Sequence, residues 1–260
     1  MKKILLILLL FTYYINHSQS KKIIYVDEKY NEISFTSYQK KLSSKLFDIA
    51  IVEDKNMIYK KLRYYEYYSK LPIKTKYQLT KLFSKRFNID STKTLLIHYI
   101  DSVPDIKKMP IESGIEIKDS LNKTIRFISN TELKSNKNGS NYLKKHRHIQ
   151  SFNDYIKNIK SEINKYHKKR LELIHFYNQN KGFPEWKLKE IKYFKDHNSL
   201  IKKIFSDKMK TYDVILIHSN GEFYVSNTRN HSYNKENKLA KKSFYDKQKN
   251  KWLKRLNKVL

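Results

Sequence analysis

The residues best equipped for chemistry are a few histidines and one run of tyrosines. His98, Asp101 and Ser102 place an imidazole, a carboxylate and a hydroxyl within five positions. That trio suits acyl transfer, but triads assemble from distant segments and nothing like G-x-S-x-G surrounds Ser102. The expectation is a histidine ending a strand, followed by a polar turn. His98 and His218 each end an apolar run, LLIH and ILIH, and would suit a paired metal or acid–base site. His146-Arg147-His148 has the types to hold a metal or a phosphate. No H-E-x-x-H accompanies it, however, and Lys144, Lys145 and Arg147 repel cations, so a solvated loop is expected. Arg63-Tyr64-Tyr65-Glu66-Tyr67-Tyr68 interleaves aromatics with charge, as single-strand binders and glycan platforms do. On a strand Tyr64 and Tyr68 face one way and Tyr65 and Tyr67 the other, so one pair is expected to be core. No constellation reaches a catalytic set. The catalytic residues, if there are any, stay unassigned, and no cofactor and no metal are expected.

Composition sets firmer bounds. The chain of 260 residues has no cysteine, which removes thiol catalysis, thiolate metal sites and disulfides together. Its formal net charge of +30 invites a polyanion, yet only seven of 55 basic residues are arginine, the better phosphate fork. Lys, Asn, Ile and Tyr abound while Gly and Pro number four each, the bias of an A/T-rich coding sequence. Weak, nonspecific attraction to anionic surfaces is therefore expected, without specific nucleic-acid binding.

Residues 1–20 carry Lys2 and Lys3, then the apolar run ILLILLLF, then polar residues with Ser18 and Ser20 two apart. These are the marks of a secretory signal cleaved between Ser20 and Lys21. The run is short for a membrane span, and no later segment is apolar enough, so a periplasmic or extracellular protein without a transmembrane segment is expected.

The elements that must position these side chains follow from patterning. Residues 22–26 read as a strand and 37–45 as a short helix. Residues 46–52 and 57–68 read as a hairpin, and 75–87 as a helix with Leu79, Leu82, Phe83 and Phe87 in phase. TLLIHYI, 94–100, suits a buried strand. Residues 101–149 form the least patterned region, an insertion with one plausible strand at 124–128. Ser151 and Asp154 make a capping box, and apolar residues from Phe152 to Tyr177 recur at helical spacing until Gly182 and Pro184, predicting a helix over 151–181 that must kink or project. Residues 188–194 suit a strand and 196–205 a helix. DVILIHSNGEFYV, 213–225, suits a hairpin turning at Asn220-Gly221 with a type I′ geometry. From Lys235 a basic helix carries Leu239, Tyr245, Trp252, Leu256 and Val259 along one side, expected to pack on the sheet rather than on a membrane.

The fold class is α/β (α+β). The order of elements over residues 92–260 resembles the core of the thioredoxin-like superfamily, with insertion 101–149 and an N-terminal hairpin and helix region at 21–91. The resemblance implies a mixed sheet in which strand 94–100 is central and antiparallel to strand 212–218. His98 and His218 would then stand at opposite ends. The sequence departs from the redox-active pattern: Asp101-Ser102-Val103-Pro104-Asp105 stands where C-x-x-C would, and Lys210-Thr211-Tyr212 lacks the usual proline. The function expected is that of an exported, non-redox, non-catalytic binding or structural domain. A hydrolase with a scattered site, or a nonspecific binder of anionic polymer or membrane surface, are the alternatives.

Overall fold

The structure, a computed structural model, describes residues 21–90, 92–119, 121, 123–135, 146–206, 212–227 and 233–259. The expected signal segment 1–20 with Ser20, residues 136–140, and Lys144, Lys145, Lys210 and Thr211 lie outside the described residues. The fold class is α/β, as the sequence predicts. The chain divides into two compact units, one made of residues up to Glu66 with Lys254 onward, the other of Tyr67–Leu253.

The smaller unit holds β1 (Lys22–Val26), α1 (Phe35–Ser43), β2 (Phe47–Glu53) and β3 (Met57–Tyr64), in the strand order β1-β3-β2. The expected hairpin exists: β2 and β3 are antiparallel from Phe47↔Tyr64 to Glu53↔Ile58. β1 joins β3 in parallel. Ser34 caps α1 by accepting from Ser37 N, and Tyr38, Phe47 and Leu62 are buried.

The larger unit is built on a six-stranded sheet of order β10-β9-β5-β11-β12-β4. Its strands are β4 (Glu66–Lys70), β5 (Thr94–Val103), β9 (Leu171–Asn180), β10 (Tyr193–Lys195), β11 (Val214–Ile217) and β12 (Glu222–Ser226). β5 lies inside the sheet, parallel to β9 and antiparallel to β11, the position and sense predicted for strand 94–100. On one face Leu95, Ile97, Ile174, Phe176, Ile215 and Val225 join Leu79 and Phe83 of α2 (Ile73–Phe87) in a single core. On the other face lies the helix Phe152–His167. Counting the short Asn130–Ser135 helix as α3, it is α4, and its Ile156 and Ile159 pack with Val103, Tyr177, Leu188 and Tyr193. Both faces of β5 and β9 are thus covered, which is why their sequences run apolar rather than alternating.

Several expectations are corrected. The run 57–68 does not make one strand: it breaks at Tyr65, and Glu66–Lys70 leaves for the six-stranded sheet as β4. The insertion is more ordered than expected, since β6 (Gly114–Lys118), β7 (Thr124–Ser129) and β8 (His146–Ile149) form an antiparallel sheet. Gly114 permits the close β6–β7 approach, for a Cβ there would stand 2.2 Å from the Ile128 carbonyl oxygen. The long helix ends at His167, and LELIHFY becomes the buried strand β9. Residues 188–194, expected as a strand, instead hold the end of α5 (Glu185–Glu190) and the start of the short β10. The capping box is half made. Ser151 Oγ accepts from Asp154 N, but the Asp154 carboxylate accepts from Ser113 Oγ, which itself accepts from Ser151 N. The NG hairpin closes with Gly221 N donating to His218 O, and only Gly221 of the two turn residues has positive φ, +86°. That is a type I turn followed by a left-handed glycine, not type I′. After α6 (Leu200–Phe205), the C-terminal helix is two, α7 (Tyr233–Leu239) and α8 (Lys242–Leu256). Tyr245 of α8 packs on the sheet, its hydroxyl donating to Phe223 O at 2.8 Å. No described helix is long and apolar enough to cross a membrane.

Candidate metal centre

His98 and His175 occupy one register position of the parallel strands β5 and β9. Alternation along each strand sends both imidazoles to the face that α4 covers. On α4 the inward stripe runs through Ile156, Ile159 and Tyr166, and Glu162 falls on the same stripe where an apolar residue would be expected. Its Oε1 lies 3.7 Å from His98 Nδ1. One ligand atom from each of His98, Glu162 and His175 lies within 4.8 Å of the others.

Burial is uneven: the His98 side chain is 10% exposed and the Glu162 side chain 39%. His175 is 2% exposed, and its Nδ1 has no hydrogen-bond partner among the described residues. The Tyr193 ring stacks flat on it, centroids 4.2 Å apart and planes at 6°. Burial, and then the neighbouring His98, hold the His175 imidazole well below its ordinary pKa, so it is neutral. Burial pushes the Glu162 carboxyl up, with Glu236 adding to the rise while His98 opposes it. Tyr155 and Tyr193 share a hydroxyl–hydroxyl hydrogen bond of 3.1 Å nearby, and burial raises both phenols.

A neutral imidazole with an unpartnered buried ring nitrogen, a second imidazole and a carboxylate form a mixed nitrogen–oxygen donor set. Such a set suits first-row divalent ions, zinc foremost, at donor distances of about 2.0–2.2 Å. Calcium and magnesium, which want oxygen alone, fit it poorly.

The other candidates are dispersed. β5 continues to Val103, so His98 is inside a strand rather than at its end. Ser102 lies four residues further along, roughly 13 Å away in an extended strand, and Asp101 is exposed. No triad forms. Val214, not His218, is opposite His98, and His218 packs its ring on Tyr245 at 4.7 Å. His146 and His148 meet edge to face at 5.2 Å on the edge strand β8, where Arg147 and His148 are exposed. The tyrosine run is divided between cores. Tyr64 stacks on Phe47 in the small unit, whereas in the large one Tyr67 meets Tyr212 and Phe223, and Tyr68 meets Tyr224, Tyr245 and Trp252. Arg63 is buried against Asp48 at 3.1 Å.

Sequence reasoning passed over His175 and Glu162. A signal was present: Leu-Ile-His occurs three times, at 96–98, 173–175 and 216–218. Parallel pairing brings the first two together, and antiparallel pairing removes the third. No protein-family model, curated protein or solved structure matches the chain.

Proposed function

We propose that this is an exported, non-redox binding domain whose bound species is one divalent transition-metal ion, held by His98, Glu162 and His175. The observation that carries the reading is the convergence of those three donors within 4.8 Å, with His175 Nδ1 buried and unpartnered among the described residues. The strand order β9-β5-β11-β12, with a parallel first pair and an antiparallel hairpin, supports a thioredoxin-like core for this domain. Lacking cysteine, such a core has no thiol–disulfide chemistry.

Calorimetric titration of the chelator-treated protein with zinc tests the reading. One equivalent should bind, and His98→Ala, Glu162→Gln and His175→Ala should each weaken it strongly. Absence of stoichiometric binding would overturn it. Export is checked separately by N-terminal sequencing of secreted product, which should begin at Lys21.

A second reading is adhesion to an anionic polymer. A depression of about 610 Å³ along the outer face of α4 is lined by Lys157, Lys160, Lys165 and Lys168. Lys160 also pairs with Glu190.

A further inference from the structure

Metal-bound histidines hold their orientation through the ring nitrogen that does not touch the ion, which donates to a carboxylate or carbonyl. His98 has such a neighbour. Glu162 approaches Nδ1, while on the other side of the ring Glu236 Oε1 lies 3.7 Å from Nε2. The other Glu236 oxygen accepts a hydrogen bond from the Tyr166 hydroxyl. Glu236 is 3% exposed and Tyr166 1%, so the carboxylate is enclosed between the sheet and two helices, α4 and α7.

We infer that Glu236 is the positioning carboxylate of the metal centre, fixing His98 with its proton on Nε2 and its Nδ1 lone pair toward the ion. The inference rests on the metal reading above. The gap of 3.7 Å is an ion-pair separation, and drawing in by about 0.9 Å makes the charge-assisted hydrogen bond. Metal withdraws electron density from the imidazole and makes the Nε2 proton a stronger donor, so binding itself favours that contraction. Tyr166, donating to the far oxygen, keeps the Glu236 carboxylate from rotating away. Since Glu236 belongs to α7, the ion and the docking of that helix are coupled, and the coupling is reciprocal.

The test compares the parent with Glu236→Gln and Tyr166→Phe, using zinc titration, the visible spectrum of the cobalt(II) form, and amide exchange across Tyr233–Leu239. Glu236→Gln should lower zinc affinity about 10- to 100-fold. Its cobalt spectrum should keep the parent's band pattern, because no ligand is lost, whereas Glu162→Gln should alter it. Tyr166→Phe should weaken binding in the same direction, and the double variant should lose less than the two single losses combined. Zinc should slow exchange in α7 of the parent, and slow it less in Glu236→Gln. If the parent binds zinc and both variants bind equally well, the positioning role is refuted while the metal site stands. If Glu236→Gln changes the cobalt bands as Glu162→Gln does, Glu236 is a ligand and the inference falls. If the parent binds no zinc, the metal reading fails and takes this inference with it.

Discussion

The rings of His98 and His175 meet edge to face across one register position of two parallel strands, centroids 5.4 Å apart and planes at 78°. Side by side and out of water, two imidazoles cannot both carry charge cheaply, and the deeper one is held neutral. His175 Nδ1 gives up hydration with no hydrogen bond in exchange among the described residues, so an apolar replacement there is well tolerated. On the metal reading, what the imidazoles add over an apolar pair is the capacity to hold a cation.

His175→Phe puts an apolar ring of similar shape against Tyr193. Without metal, the variant should match or exceed the parent in urea unfolding. Zinc at a hundred times the parent's Kd should raise parent stability by about 2.7 kcal/mol and leave the variant where it was. Equal zinc responses in the two proteins would remove His175 from the site.

Acid should act through Glu222. Hydrogen bonding from Lys242 first, then from Asn220 and Lys249, overrides burial and holds its carboxyl at about 2. In the unfolded chain a glutamate titrates at about 4.3. The unfolded state therefore takes up the proton first as pH falls. The stability this carboxylate contributes is complete above about pH 4.3 and drains away toward pH 2. Urea midpoints at pH 5.5 and pH 2.5 should differ more for the parent than for Glu222→Gln. The same drop in both would assign the acid sensitivity elsewhere.

The centrality of β5 has a direct energetic reading. Ile97 is fully buried in the large core, so Ile97→Ala should cost about 2–5 kcal/mol. Ile111 is fully exposed, and Ile111→Ala should stay within about 0.5 kcal/mol of the parent. Comparable losses at the two positions would contradict the sheet order.

The lysines should bind polyanions by counterion release. Retention on heparin or DNA should fall steeply with salt and ignore base sequence. Replacing Lys157 and Lys168 together by Ser should weaken retention if the α4 depression is the adhesive face. Sequence-selective binding that persists at high salt would show a dedicated nucleic-acid surface.

Much of the scaffold was legible because burial writes itself into residue type. TLLIHYI and VILI announced buried strands, Asn220-Gly221 a hairpin, and Ser151 a helix start. The stops were silent. Arg170 takes φ +61° and Lys192 +54°, left-handed positions where glycine is the ordinary occupant. With only four glycines in the chain, some of its turns fall to residues that carry no turn signal. Leu171, Ile174 and Tyr177 continued the helical spacing of α4, so a central strand was read as helix. His175 went unnoticed with it. Glu162, one acidic residue on an apolar stripe, acquires meaning only once β9 lies beneath it.

The pairing of β5 also governs when the protein can fold. Thr94 finds its partner at Leu171 and Leu95 at Ile217, so neither neighbour of this central strand is local in the chain. The loops between them must close before those contacts return anything, which places folding among the slow, high-contact-order topologies. During synthesis the large unit's centre cannot assemble until Ile217 has left the ribosome. Until Leu171–Asn180 emerges LLIHYI has neither partner, and until Ile217 follows it lacks one of the two, a state that crowding turns toward aggregation.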